Sequence, residues 1–452
     1  MKKAKKIAAL AMVFALTLGS FTACSSKDTT TGNDTGNTKE PTSTEAAATV
    51  EPTAEPTTAE PTKVSLKVWA PQEEQTSYEG YGDSLLAYMC GEFAKLHPEW
   101  DIEFTYGAIS EADAKTELSK DAAAAADVFM FASDQTASLV ENGILAPITL
   151  NANEIIEANG GAGAGSIAAA TFNNFLYAVP FTPNSWFMYY DSSKYTEEEV
   201  QNLDTMMAKD LGDGAYNFSI DLDNGWYNAS FFFAGGCSLF GADGQNPEEF
   251  TFNNAEGVKV GNYMVDLATN KRFLLETDDG ANALDAFANG KLGAWCSGTW
   301  NAEKVKEALG DNYAATKLPT ITLDGTDKQL KSFADYKYIG VNMNTQYMEA
   351  AQALATYLGG EECQKVRFLA RSIAPTVTSL TNDPDVLANP AVAALSYQSA
   401  YTQFQSKISQ MDNFWTPAEA FGAGCYNKTI TKDNMQEQLD LFANNVLTKL
   451  GE

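Results

Sequence analysis

The sequence predicts an α/β protein with two lobes. Its 452 residues are enough for two or three domains of about 150 residues each. Strand and helix patterns alternate between Val64 and Gly143, and helical patterns dominate the later part of the chain. The composition, 44% hydrophobic and 20% charged, is typical of a globular protein with a sizeable core.

The N-terminus has the features of a secretion signal. Basic residues are followed by a short apolar run, Ile7–Leu18, and then by small residues, which predicts a signal peptide over residues 1–23. The segment Phe21-Thr22-Ala23-Cys24 resembles a bacterial lipobox. That resemblance implies that Cys24 becomes the first residue of the mature chain and carries a lipid such as palmitate. Such a lipid would anchor the protein to the membrane without spanning it.

Residues 24–63 form a segment of different composition, rich in Thr, Glu, Pro and Ala. Glu-Pro-Thr recurs, starting at Glu40, Glu51, Glu55 and Glu60. With almost no large apolar residue, the segment buries too little surface to offset its ordering entropy. We therefore expect a disordered tether that holds the folded part away from the membrane.

The folded part begins with a βαβαβ pattern. The predicted elements are, in order, strand Val64–Trp69, helix Leu85–Leu96, strand Asp101–Tyr106, Ala-rich helix Glu111–Ala126, strand Asp127–Phe131 and helix Asp134–Asn142. The third strand is continuously apolar, which is typical of a buried parallel sheet. Further helices are predicted at Gly257–Asn270, Ala281–Asn289, Ala302–Leu309, Gln346–Gly359 and Asp433–Leu450. The alternation favours an α/β lobe with a mostly parallel sheet, followed by a second α/β lobe.

Charge and residue usage exclude several classes of protein. Asp and Glu number 59 against 30 Lys and Arg, a net charge of −29, which argues against nucleic-acid binding. A single histidine, His97, excludes multi-histidine metal sites and leaves one possible base for a Ser/His/Asp triad. The cysteines other than Cys24 are widely spaced and contain no Cys-x-x-Cys. No catalytic residue, metal site or cofactor is predicted.

Several segments, in one order, resemble a known family. They are Ala126–Ala132, Leu176–Pro180, Met188–Asp191, Ala286–Trp295 and Ser297–Trp300. Over about residues 64–450 the chain resembles extracellular solute-binding proteins of the maltose/maltodextrin-binding type, the capture components of ABC sugar importers.

This resemblance implies a periplasmic-binding-protein-like fold, with two α/β lobes, a central ligand cleft and strands that cross between the lobes as hinges. It assigns residues 64–181 plus 339–388 to the N-terminal lobe, residues 187–333 plus 389–452 to the C-terminal lobe, and hinges near 182–186, 334–338 and 389–393.

The expected ligand-binding residues follow from sugar chemistry and from this resemblance. Sugars present apolar faces surrounded by hydroxyls, so their sites combine aromatic rings with carboxylates and amides. The aromatic candidates are Trp300, Trp226, Trp186, Trp415, Phe131 and Phe421. The polar candidates are Asp134, Glu73, Glu74 and Asn184. Trp300 is the strongest of them, because it matches a stacking aromatic of the family and lies in a loop.

Two functions remain open from the sequence. The first is a monomeric, non-enzymatic binding component at the extracellular face of the cell membrane. It would capture oligosaccharides, with maltose and maltodextrins as the expected ligands, and deliver them to the permease subunits of an ABC transporter. The ligand could also be another oligosaccharide. The second is a surface-tethered glycoside hydrolase, which would need two carboxyl groups about 5–10 Å apart.

Overall fold

The computed structural model describes residues 60–241, 244–276 and 280–448. The predicted signal peptide 1–23, Cys24 and most of the predicted tether lie outside these ranges. The tether prediction is too long at its C-terminal end, because the first strand begins at Thr62. Thr62 and Lys63 pair with Trp100 and Asp101 of the next strand, so they belong to the first sheet.

The strands are β1 (Thr62–Ala70), β2 (Trp100–Ala108), β3 (Val128–Ala132), β4 (Thr171–Phe172), β5 (Phe175–Leu176), β6 (Val179–Asn184), β7 (Phe187–Asp191), β8 (Phe218–Ile220), β9 (Phe273–Leu275), β10 (Ala294–Ser297), β11 (Tyr313–Thr316), β12 (Thr320–Leu323), β13 (Thr326–Gln329), β14 (Ser332–Val341) and β15 (Thr402–Phe404).

The helices are α1 (Leu85–Leu96), α2 (Ala114–Lys120), α3 (Thr136–Glu141), α4 (Ala152–Ala158), α5 (Gly165–Ala170), α6 (Leu203–Ala208), α7 (Gly225–Ala234), α8 (Ala255–Ala268), α9 (Ala281–Ala288), α10 (Ala302–Leu309), α11 (Met348–Leu358), α12 (Glu361–Arg371), α13 (Thr378–Thr381), α14 (Pro384–Ala388), α15 (Pro390–Gln398), α16 (Trp415–Tyr426) and α17 (Met435–Leu447). Among these helices, none combines the length and apolar character that a bilayer crossing requires.

The first lobe is built on a sheet of order β15-β14-β3-β1-β2, with β6 also paired to β14. Strand β1 runs parallel to β2 and β3, whereas β14 runs antiparallel to β3 and β6. The predicted βαβαβ order therefore forms the parallel part of this sheet. Its buried side chains form one core with those of α1 and α11, which we call the first core.

The second lobe is built on a sheet of order β11-β7-β10-β8-β9. Strand β8 is parallel to β9 and β10, and β7 is antiparallel to β10 and β11. Two groups of buried residues include side chains of this sheet: a large group with α7, α8, α16 and α17, and a smaller group with α9, α10 and α15. We call them the second and third cores. Because separate cores lie on each sheet, the chain forms two lobes.

One predicted helix is much shorter than expected. The Ala-rich segment Glu111–Ala126 is helical only over Ala114–Lys120, and Asp121 has extended backbone angles. The carbonyl groups that follow are used in tertiary contacts, since Asn342 Nδ2 donates to the carbonyls of Ala122 and Ala126 at 2.7 and 2.9 Å. Tertiary hydrogen bonds therefore replace helical ones at these alanines, despite their high helix propensity.

Strands β6 and β14 connect the lobes side by side. Phe181 lies in the first core and Trp186 in the second, so the chain leaves the first lobe between them. It returns along β14, where Phe333 lies in the second core and Tyr338 in the first. The two crossing strands are paired, with Asn184 opposite Asp335.

The third crossing lies before the predicted position of 389–393. Cys363 belongs to the first core, but Ala374 and Val386 already lie in the third core, beside the second sheet. The Thr376 amide still donates to Gln364 Oε1 of α12 at 2.7 Å, so the chain changes lobes gradually, between Cys363 and Val386. Asn389 instead caps α15, accepting hydrogen bonds from the first turn, with Pro390 as the first helical residue.

Candidate functional site

A pocket opens between the two lobes, next to the crossing strands. Its lining residues come from the first lobe, from β6 and β14, and from the second lobe: Glu111, Phe181, Thr182, Pro183, Thr299, Trp300, Lys337, Arg371 and Ile373. The third crossing also reaches it through Ile373. The free volume is about 10 Å³, enough for about one water molecule, so a sugar would enter only with the lobes further apart. Because both lobes and all three crossings contribute, such a ligand would contact both halves of the molecule.

Trp300 is held over this pocket by the loop that follows β10. The Tyr189 hydroxyl donates to the Gly298 carbonyl at 2.8 Å, which fixes the start of the loop. The Trp300 ring lies directly against Gly298, where a Cβ atom would be 2.0 Å from ring atom Cζ3. The indole is half-buried, and Lys337 Nζ lies 5.5 Å from its centroid. This cation–π contact joins the second lobe to crossing strand β14.

Glu74 lies in a buried ionic network, which makes its predicted role as a partner for sugar hydroxyls wrong. It is 1% exposed and pairs with Arg367 at 3.0 Å and with Arg371. Burial alone would raise the pKa of Glu74, but the two arginines outweigh it and hold this pKa below its usual value. Glu73 lies at the edge of the network, 3.7 Å from Arg371, with about a third of its side chain exposed.

The charges around the pocket balance. Lys337 pairs with Glu111 at 3.2 Å, and both side chains are largely buried. Together with the network of Glu73 and Glu74, three carboxylates face three cationic groups, namely Lys337 and the two arginines. The first lobe and β14 therefore surround the pocket with hydrogen-bonding groups but add no net charge.

A second group of aromatic rings lies at the start of α7 and α16. Trp226 stacks on the buried ring of Phe333 at 5.3 Å, and Trp415 lies 6.0 Å from that same ring. The Asn224 side chain caps α7 by accepting from the Trp226 amide at 2.9 Å. Both tryptophans are half-buried. Phe333, on the crossing strand, thus supports two partly open indole rings of the second lobe.

Acidic side chains lie near the start of α7, where the Asn224 amide donates to Asp221 Oδ2 at 3.2 Å. Asp221 follows β8 and Glu276 follows β9, so both lie at the carboxyl ends of neighbouring parallel strands. Burial, together with the hydrogen bond and charge of Asp223, raises the pKa of Asp221 to about 8. Burial and Asp223 also raise the pKa of Glu419. Ligand sites of parallel sheets form at this edge, a signal that would have added Asp221 and Glu276 to the sequence candidates.

A third polar group surrounds the crossing strands themselves. Asp335 of β14 lies between Asn184 of β6 and Asp134, which follows β3. Burial is the main reason that the pKa of Asp134 rises to about 6; Lys115 lowers it and Asp412 raises it further. The sequence candidates Asp134 and Asn184 are thus brought together, and Asp335 was missed although it lies in a predicted hinge.

Three aromatic candidates are buried in the cores, so their assignment to the ligand site is wrong. Phe131 is 0% exposed on β3, whose strand is covered on both faces. Trp186 is 0% exposed and packs against Tyr227. Phe421 is 3% exposed and stacks within the Phe-rich second core. A ring without exposed surface cannot stack on a sugar.

The other candidates fall into separate places. Trp300 lines the pocket between the lobes, whereas Trp226 and Trp415 form the pair on Phe333. Sequence reasoning missed three charged pocket residues, Glu111, Lys337 and Arg371. Lys337 falls within the predicted hinge 334–338. Its position in a hinge beside the cleft could have added it to the candidates.

Comparison with known proteins agrees with this architecture. Residues 89–394 match the family of bacterial extracellular solute-binding proteins. The galactooligosaccharide-binding protein of Bacillus subtilis is 30% identical over 265 residues, which is 56% of this chain. The aligned part covers 62% of that relative, so this chain spans less than two thirds of its length.

Two solved structures share the fold over nearly their whole length. One was determined with acarbose; it is 36% identical, with a TM-score of 0.78, and the match covers 84% of this chain and 98% of that one. The maltodextrin binding protein MalE1 from L. casei, solved without ligand, is 26% identical, with a TM-score of 0.72, and the match covers 85% and 99%. The predicted two-lobed, periplasmic-binding-protein-like α/β fold is confirmed.

Proposed function

Because the chain belongs to the bacterial extracellular solute-binding proteins, we propose that it captures an oligosaccharide outside the cell for an ABC importer. The observation that carries this proposal is Trp300, an indole ring held over a charge-balanced pocket between two lobes. Members of this family bind solutes and are not enzymes. The permease subunits of the importer are the proposed protein partners, and the protein acts as a monomer.

The chemistry of the pocket favours a neutral sugar. An anionic or cationic ligand would need a charge left without a partner, but the carboxylates and cations around the pocket pair with one another. Such pairs can still donate and accept hydrogen bonds to hydroxyl groups at their exposed edges. The half-buried indoles of Trp300, Trp226 and Trp415 supply flat apolar surface for the sugar rings.

Maltose and maltodextrins are the proposed ligands. The acarbose-bound structure and the maltodextrin binding protein are similar to this chain over most of its folded part. The similarity to a galactooligosaccharide-binding protein makes galactooligosaccharides the main alternative. The two ligand classes differ in the orientation of their ring hydroxyls. The acids beside Trp226 would distinguish them by hydrogen-bonding to hydroxyls of one orientation.

One observation bears on the glycoside hydrolase alternative. Burial and the neighbouring Asp223 raise the pKa of Asp221 to about 8, as a general acid would need. Because Asp223 is close enough to Asp221 for a hydrogen bond, these two carboxyls are closer than the about 5–10 Å that hydrolysis of a glycosidic bond uses. An assay for released reducing ends should therefore remain negative with every sugar that binds.

We place the hinges of the protein at its three crossings. Two are the paired strands β6 and β14, and the third follows Arg371, where Ser372 has a left-handed backbone with φ of 56°. Closure about these crossings would bring Trp300 and the ionic side of the pocket onto the same ligand.

The proposed anchor lies outside the described residues. Lipidation of Cys24 would hold the mature chain at the extracellular face of the membrane, with the Thr/Glu/Pro segment as its tether. In a labelled fatty-acid experiment, the wild-type protein should incorporate label and stay with the membrane. Cys24→Ala should lose the label and appear in the medium; label retained by Cys24→Ala would refute the assignment.

Isothermal titration with a sugar panel tests the ligand. Maltotriose should bind with release of heat that is absent for a xylooligosaccharide, and a galactooligosaccharide tests the main alternative. Tryptophan fluorescence should change with the same ligand, because the proposed contacts include indole rings. Silence of both readouts across the panel would refute sugar capture, and binding of the galactooligosaccharide alone would replace the maltodextrin assignment.

A further inference from the structure

Five charged groups meet where the crossing strands pass between the lobes. Asp335 lies on β14, Asp134 follows β3, and Asp412 belongs to the second lobe. Lys115 of the first lobe pairs with Asp412 at 2.8 Å. Lys407 lies near Asp335, which raises the pKa of this lysine against the larger, lowering effect of burial. We call these groups the hinge cluster.

The turn after β3 brings two of the carboxyl groups near each other. Strand β3 runs antiparallel to β14 and ends at Ala132, which lies opposite Lys337. Asp134 lies in the 3-10 turn Ser133–Gln135 that follows, and the Ser133 hydroxyl accepts from the Tyr336 amide of β14 at 3.4 Å, so this turn packs next to Asp335. On the other side of Asp335, β6 pairs with β14, and Asn184 lies opposite Asp335. Residues two apart on a strand point to the same face, so Asp335 shares the face of Lys337, which lines the pocket.

Asp335 is poorly solvated for a charged group. It is 5% exposed; its Oδ1 accepts from the Tyr336 amide at 2.6 Å, and its Oδ2 has no hydrogen-bond partner among the described residues. Burial first, and then the charge of Asp134, raise the pKa of Asp335 well above its usual value, while Asn184 and Lys407 lower it. Such an environment disfavours the ionised form.

The hinge cluster has one more negative charge than positive charges when all its groups are ionised. Three carboxylates, from Asp134, Asp335 and Asp412, face two ammonium groups, from Lys115 and Lys407. The other groups turned toward them add no net charge: the Asn184 and Gln405 amides, the Ser133 hydroxyl, the Lys337–Glu111 ion pair on the same face of β14, and the Tyr336 and Tyr338 phenols, whose pKa values are raised by burial and by Asp335. One bound proton makes the cluster neutral.

We propose that Asp134 and Asp335 share one proton at the hinge, and that release of this proton loosens the packing of the crossing strands and shifts the two lobes. When both carboxyls are ionised, they repel each other across β3 and β14, and Asp335 gains from contact with water. The proton therefore favours the arrangement in which Asp335 is buried. This makes the position of the lobes, and not only the stability of the fold, dependent on pH.

The first test is a carboxyl titration of the full mature chain without sugar. With aspartate labelled at its side-chain carboxyl carbon, NMR should show a pair of coupled titrations, the later one well above the usual aspartate range of about 4. Asp335→Asn should remove one partner of the pair. Asp134→Asn should bring the titration of Asp335 down, because the cluster is then balanced without a proton. Asp221 also titrates above the usual range, so the variants decide: raised titrations that are unchanged in both Asp335→Asn and Asp134→Asn would overturn the proposal.

The second test is stability against pH. Because the pair holds its proton in the folded state at pH values where the unfolded chain has lost it, stability should fall as pH rises toward the folded pKa. The pair alone should lower the folding equilibrium constant about tenfold per pH unit in that window. Asp335→Asn should remove this part of the slope and leave the part due to Asp221, whose pKa is also raised. The matched control Asp385→Asn changes an exposed aspartate in α14 and should leave the whole slope unchanged. An equal slope in wild type and Asp335→Asn would overturn the shared proton.

The third test measures the distance between the lobes. Spin labels at Glu154→Cys and Glu437→Cys, both exposed, should report a distance change as pH rises in wild type but not in Asp335→Asn. The cysteines of the described ranges are buried and should not compete for label. A distance that does not respond to pH in wild type would overturn the hinge role. None of these measurements uses sugar, so they stand apart from any failure of the proposed function.

Discussion

The two lobes bring different chemistry to the same cleft. The first lobe contributes charged side chains held in ion pairs, as Glu74 is held by Arg371 and Glu111 by Lys337 of the crossing strand. The second contributes aromatic rings, of which Trp300 is the most directly placed. The charged side is deeply buried and shaped by partners, whereas the aromatic side keeps part of its surface open.

This difference separates stability from binding. A buried charge is costly once its partner is lost, so changes on the first lobe should act mainly on the free energy of unfolding. A half-exposed indole contributes contact area to a ligand and little to folding, so changes on the second lobe should act mainly on affinity. The variants below test this separation, beginning with the largest expected effect.

Glu74→Ala should lower the free energy of unfolding by about 3–5 kcal/mol, because it leaves Arg367 and Arg371 buried without their counter-charge. Since the pKa of Glu74 is held below its usual value, this contribution is present at neutral pH and is lost as pH falls through the acid range. Urea unfolding measures the change. Glu73→Ala is the control, and its partly exposed pair should cost less than about 1 kcal/mol. Equal losses would contradict the buried network.

Trp300→Ala should weaken sugar binding by about 1–3 kcal/mol, measured by titration calorimetry, while changing stability less. The control is Trp186→Phe in the second core, which should reduce stability and leave the affinity of the folded protein near that of wild type. If Trp186→Phe loses affinity and Trp300→Ala does not, the two tryptophans have been assigned the wrong way round.

Gly298→Ala should weaken binding by about 1 kcal/mol without removing any ligand-contacting group. The added Cβ would lie 2.0 Å from the Trp300 ring, so the indole must move away from its position over the pocket. Gly91→Ala in α1 is a matched control, because no atom lies within 4 Å of its added Cβ. Wild-type affinity in Gly298→Ala would show that the ring position is not important for binding.

The ion pair between the lobes should have the smallest effect. Lys115 and Asp412 are 2.8 Å apart, but more than half of the Asp412 side chain is exposed. A double-mutant cycle with Lys115→Met and Asp412→Asn should give a coupling of about 0.2–1 kcal/mol in urea unfolding. A coupling of several kcal/mol would mean that ion pairs also stabilise the second lobe, which would contradict the difference between the two lobes.

Much of the fold could be predicted because its signals are local. The apolar run at Val128–Ala132 and the helical spacing at Ala281–Ala288 reflect the burial of nearby side chains, and both elements formed close to their predicted bounds. The Ala-rich helix failed, since Asn342 binds carbonyls of that segment from more than 200 residues away. Propensity cannot anticipate a partner so distant in the chain.

The candidate site, like the fold, could be predicted from the sequence only in part. The loop of Trp300 was recognisable from Gly298 and its neighbours, and Trp226 from the capping residue before it. Trp186 also lies at the end of an element, yet it is fully buried. Its sequence surroundings resemble those of the exposed tryptophans, and only the packing of the second lobe around the crossing decides its burial.

By itself, the sequence determined the alternation of strands and helices and the family to which the folded part belongs, and it predicted a secretion signal at its start. Tertiary structure alone decided which charges meet: Glu74 pairs with Arg367 across 293 positions, and Asp134 comes to lie beside Asp335. The physical reason is range. Hydrophobic periodicity repeats within a few residues, whereas an ion pair or a shared proton depends on where two distant segments are brought by the fold.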